Sequence, residues 1–234
     1  MARPVEIALT PAFRAAFPEG IFGALTARGC PNRLKAERLG DDTRAVESRL
    51  RQRFPGETID ADPVARAYAG YFRRHGARYP VVHQAKTILT GRRIESPSAL
   101  VEAMFTAEVD SLVLTSGHDL DALEGPLWVD VARDGETYTK INGKVQALRP
   151  GDMVVRDGAG IIACVLHGPD QRTRLRPESA AVLFGAWCPG DVAPAVVEAH
   201  LVSLARLLRR EWPEATVDPS RLWTAADEEA PDVR

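Results

Sequence analysis

The chain has 234 residues, 45% hydrophobic and 26% charged, the mix of an ordinary globular protein. Its 30 basic and 32 acidic side chains leave a formal charge of −2, which excludes a uniformly basic nucleic-acid binder but not a polarised one. No run approaches 18 apolar residues and the first residues lack an apolar core behind a basic head, so neither a membrane span nor a secretory signal is expected.

Val5–Leu9 alternates weakly and reads as a short strand, and Ile21–Leu25 as a second, with Pro11, Pro18 and Gly20 between them. Residues 33–54 follow a helical period through Leu34, Ala36, Leu39, Val46 and Leu50, with an interruption expected at Gly40-Asp41-Asp42. The next helix runs from Pro63 to His75. Asp62 is placed to cap it, Val64, Ala67, Tyr68 and Tyr71 line one face, and Gly76 ends it. Val81–Thr90 and Ser98–Val109 read as two further helices. After Asp110 the character changes to short β-branched or apolar runs separated by Gly, Pro or Asp, a strand-and-turn region from 111 to 167. Asn142-Gly143 is a hairpin-turn signal within it. Leu183–Trp187 reads as one more strand. Ala193–Trp212 is the clearest helix, with Val197, Leu201, Leu204 and Leu208 as its apolar stripe and Arg206, Arg209 and Arg210 near its C-terminal end. This order gives an α+β fold: a helical N-terminal part packed on a mainly antiparallel sheet and closed by a C-terminal helix. Residues 1–222 are read as one domain. The acidic tail, 223–234, is expected to be disordered.

Charge is unevenly placed. Seven basic residues and no acid lie between Arg66 and Arg93, whereas ten acids face one base, Arg133, between Glu95 and Glu136. Either the basic window is a solvated face paired in space with the acidic segment, or it is a phosphate-binding stripe for a nucleic-acid backbone. Arg172, Arg174 and Arg176 alternate with Thr173 and Leu175, so a strand there would put all three guanidinium groups on one face. His83 and Lys86, at i and i+3 of one helix, face either phosphate or solvent.

Candidate chemistry gathers at a few positions. His118 lies between Gly117 and Asp119 at the end of an apolar run, where a neutral imidazole beside a carboxylate could orient or deprotonate a water. The bland alternative is a turn at Ser116-Gly117 followed by Asp119 capping a short helix. His167 precedes Gly168-Pro169-Asp170 in a loop after a buried strand and is a site-lining candidate; His75 and His200 read as structural. Cys30, Cys164 and Cys188 form no Cys-x-x-Cys pair, and no His-x-x-x-His spacing occurs. They read as free thiols in a reducing cytoplasm, with no metal or cofactor expected. Gly158-Ala159-Gly160 lacks the strand-to-helix context of a dinucleotide loop, and no Gly-x-Ser-x-Gly elbow is present.

The segment from Gly76 to Trp187 contains, in order, ARYPVVHQAKTILTGRRI, SALVEAMFTAEVDSL, TSGHDLDALEGPLWVDVARDGETY, INGKVQALRPGDMVVRDGAGIIACVL and TRLRPES. This order resembles the editing module of the phenylalanyl-tRNA synthetase β subunit, the B-three/B-four module, and more closely the freestanding proteins made of that module alone. The resemblance implies an α+β fold with a cleft for the 3′ end of a tRNA or an aminoacyl-like small molecule. It also implies hydrolysis in trans of wrongly charged tRNA, or binding of tRNA or an amino acid without turnover. It implies no DNA or membrane partner. Aligned on Asp119-Leu120-Asp121, the module's pocket histidine position holds Ser116, with His118 two residues later. The module's asparagine position holds Phe105, and its pocket glutamate falls on Asp170. On this resemblance His118 and Asp170 are the expected catalytic residues, and Ser116, Gly117, Asp121, His167, Arg172, Arg174 and Lys86 the expected substrate-binding ones. No aminoacylation core is visible.

Overall fold

The computed structural model describes residues 5–226. The chain opens with β1 (Ile7–Leu9), α1 (Pro11–Ala16) and β2 (Ile21–Arg28), the last three residues longer than the sequence run suggests. Thr10 caps α1 by accepting from the Phe13 amide. Residues 33–39 are not helical, contrary to expectation. Buried Glu211 takes the Glu37 and Arg38 amides and Glu102 takes that of Ala36, so this backbone is bonded to side chains rather than to itself. Gly40 starts α2 (Gly40–Arg53) instead of interrupting it, and Leu34, expected inside, is 79% exposed. The helices α3 (Pro63–Arg74), α4 (Pro80–Leu89) and α5 (Ala99–Ser111) follow within two residues of their expected ends. The Asp62 carboxylate accepts from the Val64 and Ala65 amides, the expected cap.

The second half supplies β3 (Leu114–Asp119), β4 (Leu127–Val131), β5 (Thr137–Thr139), β6 (Val145–Ala147), β7 (Met153–Asp157), β8 (Gly160–Cys164), β9 (Gly168–Pro169) and β10 (Ala181–Cys188). After them come α6 (Pro194–Glu211), β11 (Thr216–Val217) and β12 (Arg221–Thr224). One sheet has the order β1-β4-β7-β8-β9. A second has the order β11-β2-β10-β3, with β12 also on β2. Among the described residues every strand pairing is antiparallel except β1 with β4. β5 and β6 form a separate ribbon around the Asn142-Gly143 turn, where Gly143 has φ +80°. The fold is α+β, with mainly antiparallel sheets and α6 as the C-terminal helix. β12 carries ordered chain through Thr224; residues 227–234 of the tail lie outside the described residues.

β10 is buried at all eight positions because it is the central strand between β2 and β3 and is covered on both faces. α6 packs on β2 through Val197 and Leu201. Gly23 permits that approach, since a Cβ there would lie 2.8 Å from Leu201 Cδ1. His200 is the polar exception in the α6 stripe. Its ring joins Ser111 Oγ of α5 to Thr115 Oγ1 of β3, both at 2.8 Å, and burial pushes its pKa down to about 4. It is structural, as read from the sequence.

Candidate functional site

α5, β3, β10 and the turn after β8 enclose a cavity of about 700 Å³. Its walls are mostly apolar: Val101, Met104 and Phe105 from α5, Leu114 and Trp187 from the sheet, and Val165 and Leu166 from the turn. Leu34 and Ile141, 79% and 50% exposed, stand at its edge. A mostly apolar cavity of this size, with few polar groups, is the usual form of a small-ligand site.

Ser116 supplies one of those polar groups. Strand alternation puts Ser116 and His118 on the same face of β3. Ser116 Oγ lies 3.0 Å from His118 Nε2 and accepts from Trp187 Nε1 at 3.0 Å. On the far side of the ring, His118 Nδ1 is 2.7 Å from Thr173 Oγ1, and the Thr173 hydroxyl donates to Asp170 Oδ1. The proton positions follow from the ends of the chain. The Asp170 carboxylate accepts from Thr173, so Thr173 Oγ1 accepts from His118 Nδ1–H. His118 Nε2 therefore carries a lone pair and accepts the Ser116 proton. His118 is only 2% exposed, and burial lowers its pKa to about 4. Nε2 is consequently an acceptor at neutral pH.

His118 does not line the cavity; Ser116 and Gly117 do, and His118 reaches it through the serine oxygen. The covering element is the segment 171–176. The Asp119 amide donates to Thr173 O, and His118 bridges Arg174. Gly117 accommodates this cover, because a Cβ there would lie 2.9 Å from Leu175 Cδ1.

Asp170 lies behind the cavity wall, accepting the amides of Arg172 and Thr173 as well as the Thr173 hydroxyl. That side-chain turn keeps residues 172–176 out of the expected strand, so strand alternation does not align the three guanidinium groups. The three arginines nevertheless line one surface hollow with Thr137–Thr139. Arg172 is held by Asp157 at 2.7 Å and Arg176 by Asp119 at 3.1 Å, while Arg174 bonds the Gln171 carbonyl. His167 lines the cavity, and so does Phe105. Asp121 is exposed on the short turn that Asp119 caps, away from the cavity lining. Lys86 is paired with Asp60 and also lies outside the lining.

The basic window is not paired with the 95–136 acids. Among the described residues, Arg66, Arg73, Arg74, Arg78 and Arg92 are exposed and make no ion pair; Arg93 meets Glu47. The acids are engaged elsewhere, as in Asp110 with Arg49 and Glu136 with Arg156. The segment that carries these arginines reaches the cavity where Pro80 and Val81, just past Arg78, line it.

Sequence reasoning missed Glu108, Trp187 and Thr173. Glu108 was detectable as a carboxylate on the Leu100–Met104 stripe of α5. It lines the cavity, is buried, accepts from the Thr115 amide at 2.7 Å, and burial raises its pKa to about 8. Folding therefore favours the protonated acid. Relative to an unfolded value near 4.5, Glu108 destabilises the fold progressively as pH rises from about 4.5 to about 8, and fully above that. Glu108→Gln is expected to gain on the order of 3–5 kcal/mol relative to the parent between pH 5 and pH 9, as read by denaturant unfolding at both pH values. An equal difference at the two pH values would show that Glu108 ionises freely.

The chain is similar to three known sequences or structures. The family model for the B3/4 domain matches residues 86–206, just over half the chain. The phenylalanine–tRNA ligase beta subunit of Mycoplasma genitalium is 27% identical over 120 residues, covering 51% of this chain. The chain spans only 15% of that protein's length. An N-terminal fragment of the phenylalanyl-tRNA synthetase beta subunit from Pyrococcus horikoshii superposes with a TM-score of 0.48 at 10% identity, over 92% of this chain and 50% of the fragment.

Proposed function

The chain belongs to the B3/4 domain family, and from that premise we propose that it hydrolyses aminoacyl esters from mischarged tRNA in trans. The observation that carries this reading is Ser116 Oγ, set in the wall of an apolar cavity with a neutral His118 directly behind it. An aminoacyl ester is already activated, so the site has only to position a water at the carbonyl and manage one proton.

The serine oxygen accepts from Trp187 and donates to His118, which leaves it one lone pair to hold a water. As that water attacks the ester carbonyl, its proton passes to Ser116 Oγ while the Ser116 proton moves to His118 Nε2. The imidazolium so formed keeps its Nδ1–H on Thr173, whose own proton rests on the Asp170 carboxylate. Returning the proton along the same path to the 3′ oxygen of the leaving tRNA completes hydrolysis to a free amino acid and uncharged tRNA. The apolar walls suit an amino acid with an aliphatic or aromatic side chain. The basic stripe of Arg66, Arg73, Arg74, Arg78 and Arg92 suits the phosphates next to the 3′ end.

Purified protein mixed with a panel of mischarged tRNAs is expected to accelerate deacylation of at least one, with an apparent affinity that falls steeply with salt. Saturable tRNA binding without turnover across the panel would overturn catalysis and leave the chain a binding module. Turnover of small amino-acid esters alone would make it a small-molecule hydrolase.

A further inference from the structure

We propose that His75, Asp152, Cys164 and His167 form a binding site for a transition-metal dication of the zinc class. Cys164 and His167 also border the cavity assigned above to the substrate, but none of the four residues takes a proton in the proposed hydrolysis, and the inference stands independently of it.

Asp152, Cys164 and His167 offer one oxygen, one sulfur and one nitrogen, all within 4.8 Å of one another. His75 Nδ1, 3.4 Å from Asp152 Oδ1, lies outside that cluster of three and becomes a fourth donor by a side-chain shift toward it. Two ligands bound at about 2.0–2.1 Å to one tetrahedral zinc ion are themselves about 3.3–3.4 Å apart. The His75–Asp152 separation matches one edge of such a tetrahedron, and the shift brings His75 toward Cys164 and His167. It is a poor hydrogen bond: Asp152 is fully buried, yet its Oδ1 has no hydrogen-bond partner among the described residues. Its other oxygen is occupied, accepting the Arg149 amide at 2.9 Å. A buried carboxylate oxygen without a partner is uncommon enough to call for one, and a cation between Asp152, Cys164 and His167 would provide it.

The local backbone brings the Cys164 and His167 side chains to one turn. Cys164 and His167 are spaced Cys-x-x-His across a tight turn in which the His167 amide donates to Cys164 O at 3.1 Å. Burial pushes the thiol up to about 12, but the Leu166 and His167 amides lie against Cys164 and favour its thiolate. A dication at the sulfur would complete that deprotonation, releasing one proton to solvent. One carboxylate, one thiolate and two neutral imidazoles then balance a dication, so the buried site carries no net charge. The mixed N, S and O donors select a borderline-soft, tetrahedral ion over magnesium or calcium. There are two routes in: His167 faces the main cavity, and half-buried His75 faces a surface hollow with Tyr71 and Arg74.

Cobalt(II) reports this geometry by its visible tetrahedral bands and by a near-ultraviolet thiolate-to-metal charge-transfer band. Titration of the purified, metal-stripped chain with Co²⁺ is expected to give both at one equivalent, with Zn²⁺ abolishing both. Cys164→Ser is expected to lose the charge-transfer band, and His167→Gln to weaken binding about 10–100-fold, while Cys30→Ser changes neither. If Cys164→Ser fails to fold, His167→Gln, on a partly exposed turn, decides the matter. Absence of tetrahedral bands in excess Co²⁺, or a charge-transfer band that survives in Cys164→Ser or is unmoved in His167→Gln, overturns the proposal.

Discussion

Ser116→Ala is expected to lower kcat for aminoacyl-tRNA hydrolysis by about 10²–10³-fold with little change in KM, the magnitude of losing a positioned proton-transfer group. The serine oxygen touches both the cavity and His118 Nε2, so its removal disconnects the base from the water. His118→Ala is expected to match it, because the two act as one unit and their losses do not add. Thr173→Val should cost less. It leaves Nε2 in place but removes the group that fixes which nitrogen carries the proton. The serine variant leaves Trp187 Nε1 and His118 Nε2 without a partner, so about 1–3 kcal/mol of stability should go with it. Rates are therefore compared at a temperature where circular dichroism shows both proteins folded. A serine variant with the parent's kcat removes Ser116 from the reaction.

Asp157→Ala is expected to be the most destabilising of the single changes considered, by about 3–5 kcal/mol. Its fully buried carboxylate accepts from the amides of Glu124, Ala159 and Gly160 and from Arg172 Nη2. One side chain thus closes the turn between β7 and β8 and ties it to the loop after β3. It also fixes Arg172, two residues after Asp170. Alanine leaves three amides and one guanidinium without their acceptor. For a chain of this size the melting temperature should fall by roughly 10 °C. Asp157→Asn keeps an acceptor oxygen and should lose about half as much. A loss under 1 kcal/mol for the alanine variant would show that water replaces these bonds.

The element order was legible because the signals are local. Asp62 before Pro63, Asn142-Gly143 between two short runs, and the stripe from Val197 to Leu208 each name a cap, a turn or a buried face from neighbouring residues. Where the reading failed at 33–39, distant groups intervened. Residues 33–39 carry a helical period, but Glu37 and Arg38 give their amides to Glu211, more than 170 positions away, and Ala36 gives its amide to Glu102. At 172–176 the deciding group is instead local: the Asp170 carboxylate, two residues before Arg172, takes the Arg172 and Thr173 amides and turns the backbone out of a strand.

The site divides the same way. Ser116, Gly117, His118, His167 and Asp170 stand out in the sequence as polar or glycine positions beside apolar runs, and the fold gathers them within and behind one cavity wall. Asp121 and Lys86, singled out on the same grounds, fall outside it. Thr173, Trp187 and Glu108 carried little local signal. A threonine becomes a relay, and an indole a donor, only when two other chain segments arrive against it. By itself the sequence determined which segments are helix, strand and turn, since capping, turn chemistry and periodicity act over a few residues. Only the tertiary structure decided that Ser116 rather than His118 faces the cavity. The two share one face of β3, and it is the 171–176 segment that covers His118 and leaves Ser116 at the cavity, because burial and hydrogen-bond direction are set by what packs across a strand.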